Sequence, residues 1–447
     1  MNNLLLFGLL PIVMFTSCLP KSQNSITENV EEELNEMTLG INLSKNVKEV
    51  QQLNLSDAVE RVEIVKLETT DESILSNIHY VKVTSNDIWV KHYKDYRIFR
   101  FSRNGKFLNT VGKIGQGPGE YVQSANFQLN DTNKEIYIQS TTNGILAYDY
   151  DGNFKRYITK KPMDQLFSCR EDFDCLIYFN KEFLLTQHLY VMRPIVADSL
   201  WSLAWVDKDF NITKIFKNPT HIGKEADIFK NSRFSAPDPT FNLLNYYIDE
   251  QPSYSIYGNQ LTLKFADTDT IYVYDKASQS LQAQYAIFTN ESKGNYHDTH
   301  VFLKDEADFG FFTITGYYPT QDYIYLLGFK GKRIFTYRYN KRDQTVQLTK
   351  RDTDFRHREF GYPKPFITLW DNSFKLTNDL SGGTFTVDYR SEGKYWINAL
   401  QPGSSEFDTF VSDLKKSPDA PQKQQLLDVI ARTGEEDNPI LLIAVLK

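Results

Sequence analysis

Glycine, proline and glutamate come together in one short segment, Gly115–Tyr121, which reads GQGPGEY. A glycine-rich loop cradles phosphate when a helix starts directly after it, because the helix N-terminus then holds the anion. Here Pro118 interrupts the glycines and a strand-like stretch follows. The pattern therefore favours a tight crossover between two strands over a nucleotide site. Glu120 and Tyr121 stay candidates for lining a binding surface.

Two other groups have the residue types of metal sites without the required spacing. His297 and His300 lie at i and i+3, but no glutamate stands between them as in an HExxH motif. Asp149–Asn153 is rich in oxygen ligands but lacks the closing glutamate of a calcium loop. We interpret these groups as a solvated loop and a hairpin turn. The sequence predicts no metal site and no cofactor.

The three cysteines have separate interpretations. Cys18 follows an apolar run over residues 4–15, which is shorter than the roughly 20 residues of a membrane span and fits a signal peptide. The stretch Phe15–Cys18 resembles the lipobox of bacterial lipoproteins, in which the cysteine thiol receives the lipid. Cys169 and Cys175 could form a disulfide in an oxidising compartment, or remain two reduced thiols.

Composition excludes several classes of protein. The 447 residues are 41% hydrophobic and 24% charged, which is ordinary globular usage. The net charge of -7 has the wrong sign for gripping a phosphate backbone. Aromatic residues reach 14%, a bias towards half-buried strands. The sequence therefore predicts a packed, β-rich body with no nucleic-acid partner.

A repeated hairpin explains the aromatic bias. Each copy alternates aromatic or β-branched residues with polar ones, turns, and continues as a second strand. The copies span residues 97–111, 145–158, 203–216, 271–288 and 334–348. Another strand candidate precedes each copy, and units of three to four strands are typical of propeller blades.

A sixth, less regular unit completes the pattern. Its strand candidates are Phe374–Leu376, Thr384–Tyr389 and Lys394–Leu400. Residues 61–68 form a further strand that could pair with this last unit and close the ring. Irregular connections are expected at 162–173, 219–252 and 290–310.

The fold class predicted from these units is all-β, a six-bladed β-propeller with short C-terminal helices. The predicted organisation is a signal peptide over 1–17, a lipid-anchored tether over 18–48, the propeller over 49–403 and a C-terminal segment over 404–447. In the last segment Ser404 can cap a helix over 407–416. A second helix is expected over 422–432, and the apolar residues 440–446 are expected to form a buried strand.

Four segments resemble the six-bladed β-propeller lipoproteins of diderm gut bacteria, distant relatives of NHL-repeat propellers. They read VEIVKLET at 62–69, IFRFSRNGKFLNTVGKIGQGPGEY at 98–121, NDLSGG at 378–383 and EEDNPILLIAVLK at 435–447. The resemblance covers nearly the whole chain after the signal peptide. It implies the fold but no settled activity and no catalytic residues.

Two functions stay open on this fold. The first is a non-catalytic module whose channel-end loops bind a glycan, a peptide or an envelope protein. Its candidate contact residues are Arg97, Glu120, Tyr121 and Asp379. The second is a hydrolase or lyase acting on extracellular polysaccharide or peptide, with acid and base groups from different blades. No local catalytic motif occurs, but this does not exclude an enzyme whose groups come from different blades. We prefer the first function, and a membrane scaffold or uptake subunit is a third option.

The predicted location is the outer membrane, with the propeller facing the periplasm and touching the membrane through the lipid alone. The acidic run that follows the cysteine of many surface lipoproteins is missing from Leu19–Gln23. The apolar N-terminal run could instead be an uncleaved, buried strand or helix. The polar residues 19–37 are typical of a solvated tether and favour the lipoprotein.

Overall fold

The structure is a computed structural model. It describes residues 38–447 except 123, 141–142, 162–175, 187, 192–200, 224–232, 235–244, 250–251, 266–267, 292–309, 311, 359–365, 370–372 and 392. The predicted signal peptide and tether up to residue 37 lie outside the described residues. So do Cys18, Cys169, Cys175, His297 and His300.

The first half of the chain contains three N-terminal strands and three blades. The N-terminal strands are β1 (Leu39–Asn42), β2 (Val47–Glu49) and β3 (Val59–Lys66). Blade 1 consists of β4 (Ile78–Val83), β5 (Asp87–His92), β6 (Ile98–Ser102) and β7 (Phe107–Val111). Blade 2 consists of β8 (Ser124–Asn130), β9 (Glu135–Ser140), β10 (Gly144–Asp149) and β11 (Phe154–Thr159). Blade 3 begins with β12 (Leu176–Phe179) and β13 (Glu182–Thr186); after β14 (His188–Val191) it ends with β15 (Leu203–Val206) and β16 (Ile212–Phe216).

The second half continues with an inserted sheet and two further blades. β14 pairs with β18 (Asn245–Asp249), which also pairs with β17 (Arg233–Phe234). Blade 4 consists of β19 (Ser253–Tyr257), β20 (Gln260–Lys264), β21 (Thr270–Asp275) and β22 (Ser280–Phe288). Blade 5 consists of β23 (Thr313–Pro319), β24 (Tyr323–Lys330), β25 (Arg333–Asn340) and β26 (Val346–Asp352). Two separate hairpins follow, β27 (Phe355–Arg358) with β28 (Phe366–Leu369) and β29 (Lys375–Thr377) with β30 (Thr384–Thr386).

Blade 6 joins the two ends of the chain. Its strands are β31 (Tyr389–Ser391), β32 (Tyr395–Leu400) and β33 (Ile440–Leu446), with β3 as the fourth. The N-terminal strand β3 lies antiparallel to β33, with Val62 opposite Ala444. The predicted six-bladed propeller, its ring closure and the buried strand over 440–446 are therefore confirmed. All seven residues of β33 are buried, which explains its continuous apolar sequence.

The sixth unit differs from its prediction in one respect. The strands around Phe374–Leu376 and Thr384–Thr386 form the separate hairpin β29–β30 rather than part of blade 6. The alternation of apolar residues is the same in both places, so periodicity alone could not assign these strands to a sheet. Residues 219–252, expected to be irregular, contain β17 and β18.

An N-terminal strap, residues 39–66, holds three blades together. β1 pairs in parallel with β22 of blade 4, and β2 pairs in parallel with β26 of blade 5. The strap then enters blade 6 as β3. Among the described residues, strand pairing starts at Leu39, upstream of residue 49, where the sequence placed the start of the propeller.

Two short helices lie in the connection between β32 and β33. They are α1 (Ser405–Lys416) and α2 (Lys423–Ala431). The side chain of Ser404 accepts a hydrogen bond from the amide of Phe407, as the sequence predicts for the N-cap. The completely buried Leu414 and Leu426 pack these helices into the core between blades 5 and 6.

The hydrophobic core is divided among the spaces between blades, because each sheet buries both faces against its neighbours. Between blades 1 and 2, for example, Trp89, Phe127 and Tyr148 are completely buried in one cluster. Large flat rings fill the wedge between two twisted sheets well and pack edge to face. This packing explains the aromatic content of the sequence.

The two ends of the propeller can be defined from the strand order. First strands contact one another between blades 6 and 1, blades 2 and 3, and blades 4 and 5, so the first strands surround the channel. In an antiparallel meander the connections alternate between the two ends of the sheet. We call the end with the connections between first and second and between third and fourth strands the turn face. The opposite end, which also carries the connections between blades, is the loop face.

Candidate functional site

Arg97 lies at the loop face, in the connection 93–97 between β5 and β6. Its Nε donates a hydrogen bond of 2.6 Å to Asp95 Oδ2. The guanidinium group lies 4.8 Å from the centre of the Phe99 ring, and the side chain is 42% exposed. Arg97 is therefore anchored at one edge and open to solvent, as a ligand-contacting cation would be.

Glu120 belongs to the crossover that the sequence predicts between β7 and β8, and the strand bounds confirm the crossover. Its carboxylate accepts a hydrogen bond from the amide of Gly117 at 2.9 Å. Its carbonyl oxygen accepts another from Asn143 Nδ2 at 2.8 Å, next to β10. A Cβ at residue 115 would lie 2.1 Å from the carboxylate, so the glycine there makes room for Glu120.

Tyr121 is only 1% exposed. Its hydroxyl donates to the carbonyl oxygen of Val111 at 3.2 Å, and burial raises its pKa. The side chain packs between blades 1 and 2, where the ring of Tyr148 meets it edge on. Tyr121 therefore holds the crossover in place and presents no surface to a ligand.

Asp379 lies away from the other predicted contact residues. Its carboxylate accepts hydrogen bonds from the amide of Ser56, at 3.0 Å, and from the hydroxyl of the same residue. It thus ties the N-terminal strap to the turn between β29 and β30. The structure brings Arg97 and Glu120 to the loop face, and it gives Asp379 a structural contact elsewhere.

A chain of hydrogen bonds connects three chemically active side chains at the loop face. Ser76 Oγ lies 2.9 Å from His92 Nε2, and His92 Nδ1 lies 2.6 Å from Asp95 Oδ1. Ser76 is exposed, in the connection that leads into β4, whereas the His92 side chain at the end of β5 is 6% exposed. This is the order of groups found around an activated nucleophile. The exposed hydroxyl corresponds to the nucleophile, the buried imidazole to its base, and the carboxylate to the group that orients the base.

The protonation of this chain follows from its partners. Burial alone would raise the pKa of Asp95, but hydrogen bonds from His92 and Arg97 outweigh it and the pKa is lowered. Asp95 is therefore a carboxylate, which can only accept, so His92 Nδ1 carries the hydrogen. In the neutral imidazole Nε2 is then left to accept from the Ser76 hydroxyl.

The fold fixes the segment that carries Ser76. The side chain of Asn438, which is completely buried, accepts from the amide of Leu75 at 2.7 Å. It also donates to the carbonyl oxygens of Glu68 and Ser73, both at 2.7 Å. The connection between blades 6 and 1 is thereby held to the residues just before β33.

An exposed aromatic residue, Tyr93, follows His92 directly and contacts the backbone of the residue after Ser76. Tyr93 is 55% exposed, and its amide donates to the carbonyl oxygen of Asn77 at 3.1 Å. Its ring centre is 5.6 Å from that of His79. An exposed ring offers an apolar surface on which part of a ligand can stack.

The sequence predicts Arg97 as a contact residue, and this role stays a prediction; it did not point to Ser76, His92 or Asp95. The three residues come from two connections and a strand end, so no local motif joins them. The one available signal was the pair His92 and Asp95 at i and i+3, which is common in turns. Their alignment depends on the pairing of β4 with β5.

The channel interior is crossed by side chains. Lys82 Nζ donates to Gln128 Oε1 at 2.7 Å, and Gln128 Nε2 donates to the carbonyl oxygen of Leu176 at 2.7 Å. These contacts link the first strands of blades 1, 2 and 3. Lys82 and Gln128 are buried, at 6% and 3% exposure. The channel is thus filled rather than open at this level.

The turn end of the channel is narrowed by contacts among blades 4, 5 and 6. Tyr257 Oη donates to the carbonyl oxygen of Lys447 at 2.9 Å and lies 3.2 Å from Gln321 Oε1. Gly393 lies so close to Ile256 that a Cβ would be 1.3 Å from its carbonyl oxygen. These contacts tie blades 4, 5 and 6 together at the turn face.

Within the described ranges, no group of three or more His, Cys, Asp or Glu side chains could hold a metal ion. The same part of the chain contains no helix long and apolar enough to cross a membrane.

The fold defines the class of protein, a six-bladed β-propeller with an N-terminal strap. Residues 38–445 match the family described as a domain of unknown function, DUF4934, and the chain belongs to that family. None of the curated proteins matches the chain.

Two solved structures from Bacteroides species are similar to it. One is a protein of Bacteroides fragilis NCTC 9343 provisionally described as exported, with 15% identity and a TM-score of 0.57. The match covers 91% of this chain and all of that one, and it supports the same fold. The other is a member of the DUF4221 family from Bacteroides vulgatus ATCC 8482, with 12% identity and a TM-score of 0.39 over 65% of this chain and 87% of that one.

Proposed function

We propose that this chain is a binding module of the bacterial cell envelope whose loop face takes a glycan, a peptide or an envelope protein. The observation that carries the proposal is the difference between the two ends of the propeller. Side chains and tight turns occupy the turn end of the channel, whereas the loop face carries the long connections and the open side chains of Arg97 and Tyr93. Ligands bind preferentially to such loops on a rigid frame.

We also propose that the protein is an outer-membrane lipoprotein attached through Cys18 and facing the periplasm. The apolar run before Cys18 supports this, as does the provisional description of the similar B. fragilis protein as exported. The strap places the start of ordered pairing at Leu39, on the edge of blade 4. A tether that leaves from an edge keeps the loop face free for a ligand.

The attachment can be measured by mass spectrometry of the native protein. We expect a mature N-terminus at Cys18 carrying fatty acyl groups, and a Cys18→Ser variant without them. Native material that keeps Met1 and carries no acyl group would contradict the lipoprotein.

The binding function can be tested with residues 38–447, screened against glycans and envelope extracts. Once a ligand is found, we expect Arg97→Ala to weaken its binding at least about tenfold, the effect of losing one charged contact of about 1.4 kcal/mol. Glu120→Gln removes the negative charge but keeps an oxygen that can accept the hydrogen bond from the Gly117 amide. This variant therefore tests the charge of Glu120 without removing its contact in the crossover. Lys208→Ala, at a 90% exposed position of the turn face, is the matched control. Equal weakening by Lys208→Ala would refute the loop face as the binding surface.

A further inference from the structure

We propose that Ser76, His92 and Asp95 form a hydrolytic site at the loop face that cleaves carboxylic esters. This inference goes beyond the binding function, which requires no bond to be broken. It rests on the two hydrogen bonds that join the three side chains, at 2.9 Å and 2.6 Å.

The geometry is that of a serine nucleophile with its base. Such constellations occur on unrelated folds and are recognised from the order of contacts rather than from chain position. The required order is a hydroxyl on one imidazole nitrogen and a carboxylate on the other. Ser76 and Asp95 occupy these positions on His92, and the exposure of Ser76 leaves its hydroxyl accessible to a substrate.

Each member of the site is held by a separate part of the fold. Asn438 fixes the residue before Ser76, and His92 sits at the buried end of β5. Arg97 holds the second oxygen of Asp95 at 2.6 Å, so the first oxygen stays directed at the imidazole. Arg97 and Asp95 are therefore positioning residues, and Ser76 and His92 are the catalytic pair.

The reaction proceeds by acyl transfer. Ser76 Oγ attacks the ester carbonyl carbon while its proton moves to His92 Nε2. The bond from that carbon to the alcohol oxygen then breaks, and the leaving alcohol takes the proton from His92. Water attacks the resulting acyl-serine, giving one proton to His92, which returns it to Ser76 Oγ as the carboxylic acid departs.

Donors for the negative oxygen of the intermediate are available at the nucleophile. Within the described part of the chain, the amides of Ser76 and Asn77 make no hydrogen bond to another residue. Backbone amides at and after a nucleophilic serine are common oxyanion donors. Because the site is open to solvent, the stabilisation it gives is weaker than in a closed site. An ester, whose leaving group departs more easily than that of an amide, is the substrate class that fits.

The test is labelling of the full chain with a fluorophosphonate, which forms a bond to the oxygen of an activated serine and releases fluoride. We expect peptide mass spectrometry to find the label on Ser76. Ser76→Ala should abolish labelling, whereas Ser85→Ala, an exposed serine at the other end of blade 1, should leave it unchanged. The labelling of the wild-type protein is sufficient to test the proposal. If Ser76 carries no label, or if Ser85 carries an equal amount of label, the proposal is overturned.

Hydrolysis of p-nitrophenyl acetate distinguishes the role of His92 as the general base from the role of Asp95 as a positioning residue. His92→Gln should lower kcat at least about 100-fold, the usual contribution of a general base. Asp95→Asn should lower kcat at least about tenfold with KM unchanged, because the imidazole loses its orientation and not its substrate contact. A loss confined to KM, or hydrolysis that persists in Ser76→Ala, would refute the site. Ligand binding is measured in a separate assay, so a failed hydrolysis test overturns the ester site and leaves the binding function to be decided by that assay.

Discussion

At the turn face, among the strands that the structure describes, no connection is longer than residues 207–211 or 341–345. At the loop face, the connections 217–252, 289–312 and 401–439 are several times longer. Both ends belong to the same blades. The difference in connection length therefore does not come from a difference in the hydrophobic core. Short turns keep each strand pair in register, and chain added at the other end leaves that register intact. The comparison shows that short turns lie at one end of the blades and long connections at the other.

One connection of the loop face is held in place by a buried side chain. The connection 67–77, which carries Ser76, is fixed through Asn438, whose side chain is completely buried. A segment fixed in this way can hold the residues of a site in a defined geometry. The four changes below test whether the two ends differ as described.

Gly393→Ala, at the turn face, is expected to have the largest effect on stability. The added Cβ would lie 1.3 Å from the carbonyl oxygen of Ile256, and the φ of +61° is itself unfavourable for alanine. We expect the free energy of unfolding to fall by about 4 kcal/mol, measured by urea denaturation. The control is Gly331→Ala at the loop face, where φ is +58° and no atom lies within 4 Å. Gly331→Ala should lower the free energy of unfolding by about 1 kcal/mol. Equal losses of stability in the two variants would contradict close packing at the turn face.

Asn438→Ala tests the pinned connection at the loop face. Leaving the amide of Leu75 and the carbonyl oxygens of Glu68 and Ser73 without this partner should cost about 3 kcal/mol. Urea denaturation measures the loss. Asn211→Ala, which removes an exposed side-chain contact to Asp207 at the turn face, should cost about 0.5 kcal/mol. If the two variants lose the same stability, the connection is not pinned.

Glu135→Gln tests an ion pair at the turn end of blade 2. Hydrogen bonds from Arg156 hold the pKa of Glu135 at about 2, below its ordinary value of 4.5. Since the folded pKa is depressed, this carboxylate stabilises the protein above pH 4.5, and the contribution is lost as the pH falls towards 2. We expect Glu135→Gln to lose about 2 kcal/mol at neutral pH and to show a smaller decline in acid.

The measurement for Glu135 is urea denaturation repeated across that pH range. Asp151→Asn, at an 83% exposed position in the neighbouring turn, serves as the control and should follow the wild type. An unchanged acid profile in Glu135→Gln would show that the pair with Arg156 contributes nothing.

Asp379→Ala should have the smallest effect. It removes the hydrogen bonds to Ser56 that tie the strap to the β29–β30 turn, at a cost of about 1 kcal/mol. Because this contact is remote from Arg97 and Glu120, ligand binding should not change. Thermal unfolding and the binding assay together check the assignment. Weaker binding with full stability would restore Asp379 as a contact residue.

Most of the fold could be predicted from the sequence because blade strands alternate apolar and polar residues over hairpins such as 97–111. The closing strand was recognisable from its apolar run, which only a doubly buried strand explains. The strap was not recognisable, because β1 and β2 are short and polar on one side. Their partners, β22 and β26, are remote in sequence.

The candidate site was predicted only in part. Arg97 was chosen for its place at a strand end, and the structure does place it there, directly before β6. Tyr121, at the end of the family-like segment 98–121, is buried. Local sequence does not reveal whether a side chain at a crossover points outward or between blades. Ser76 and His92 meet only because β4 and β5 are paired, and pairing of this kind is a property of the fold.

Photo-crosslinking from the two ends of blade 1 tests the functional role of the loop face most directly. A p-benzoylphenylalanine placed at Lys94 of the loop face or at Ser85 of the turn face, both exposed, probes either end in cells that produce the full chain. The account predicts that residue 94 forms a discrete adduct with an envelope component and that residue 85 forms none. An adduct from residue 85 alone, or equal adducts from both positions, would contradict it.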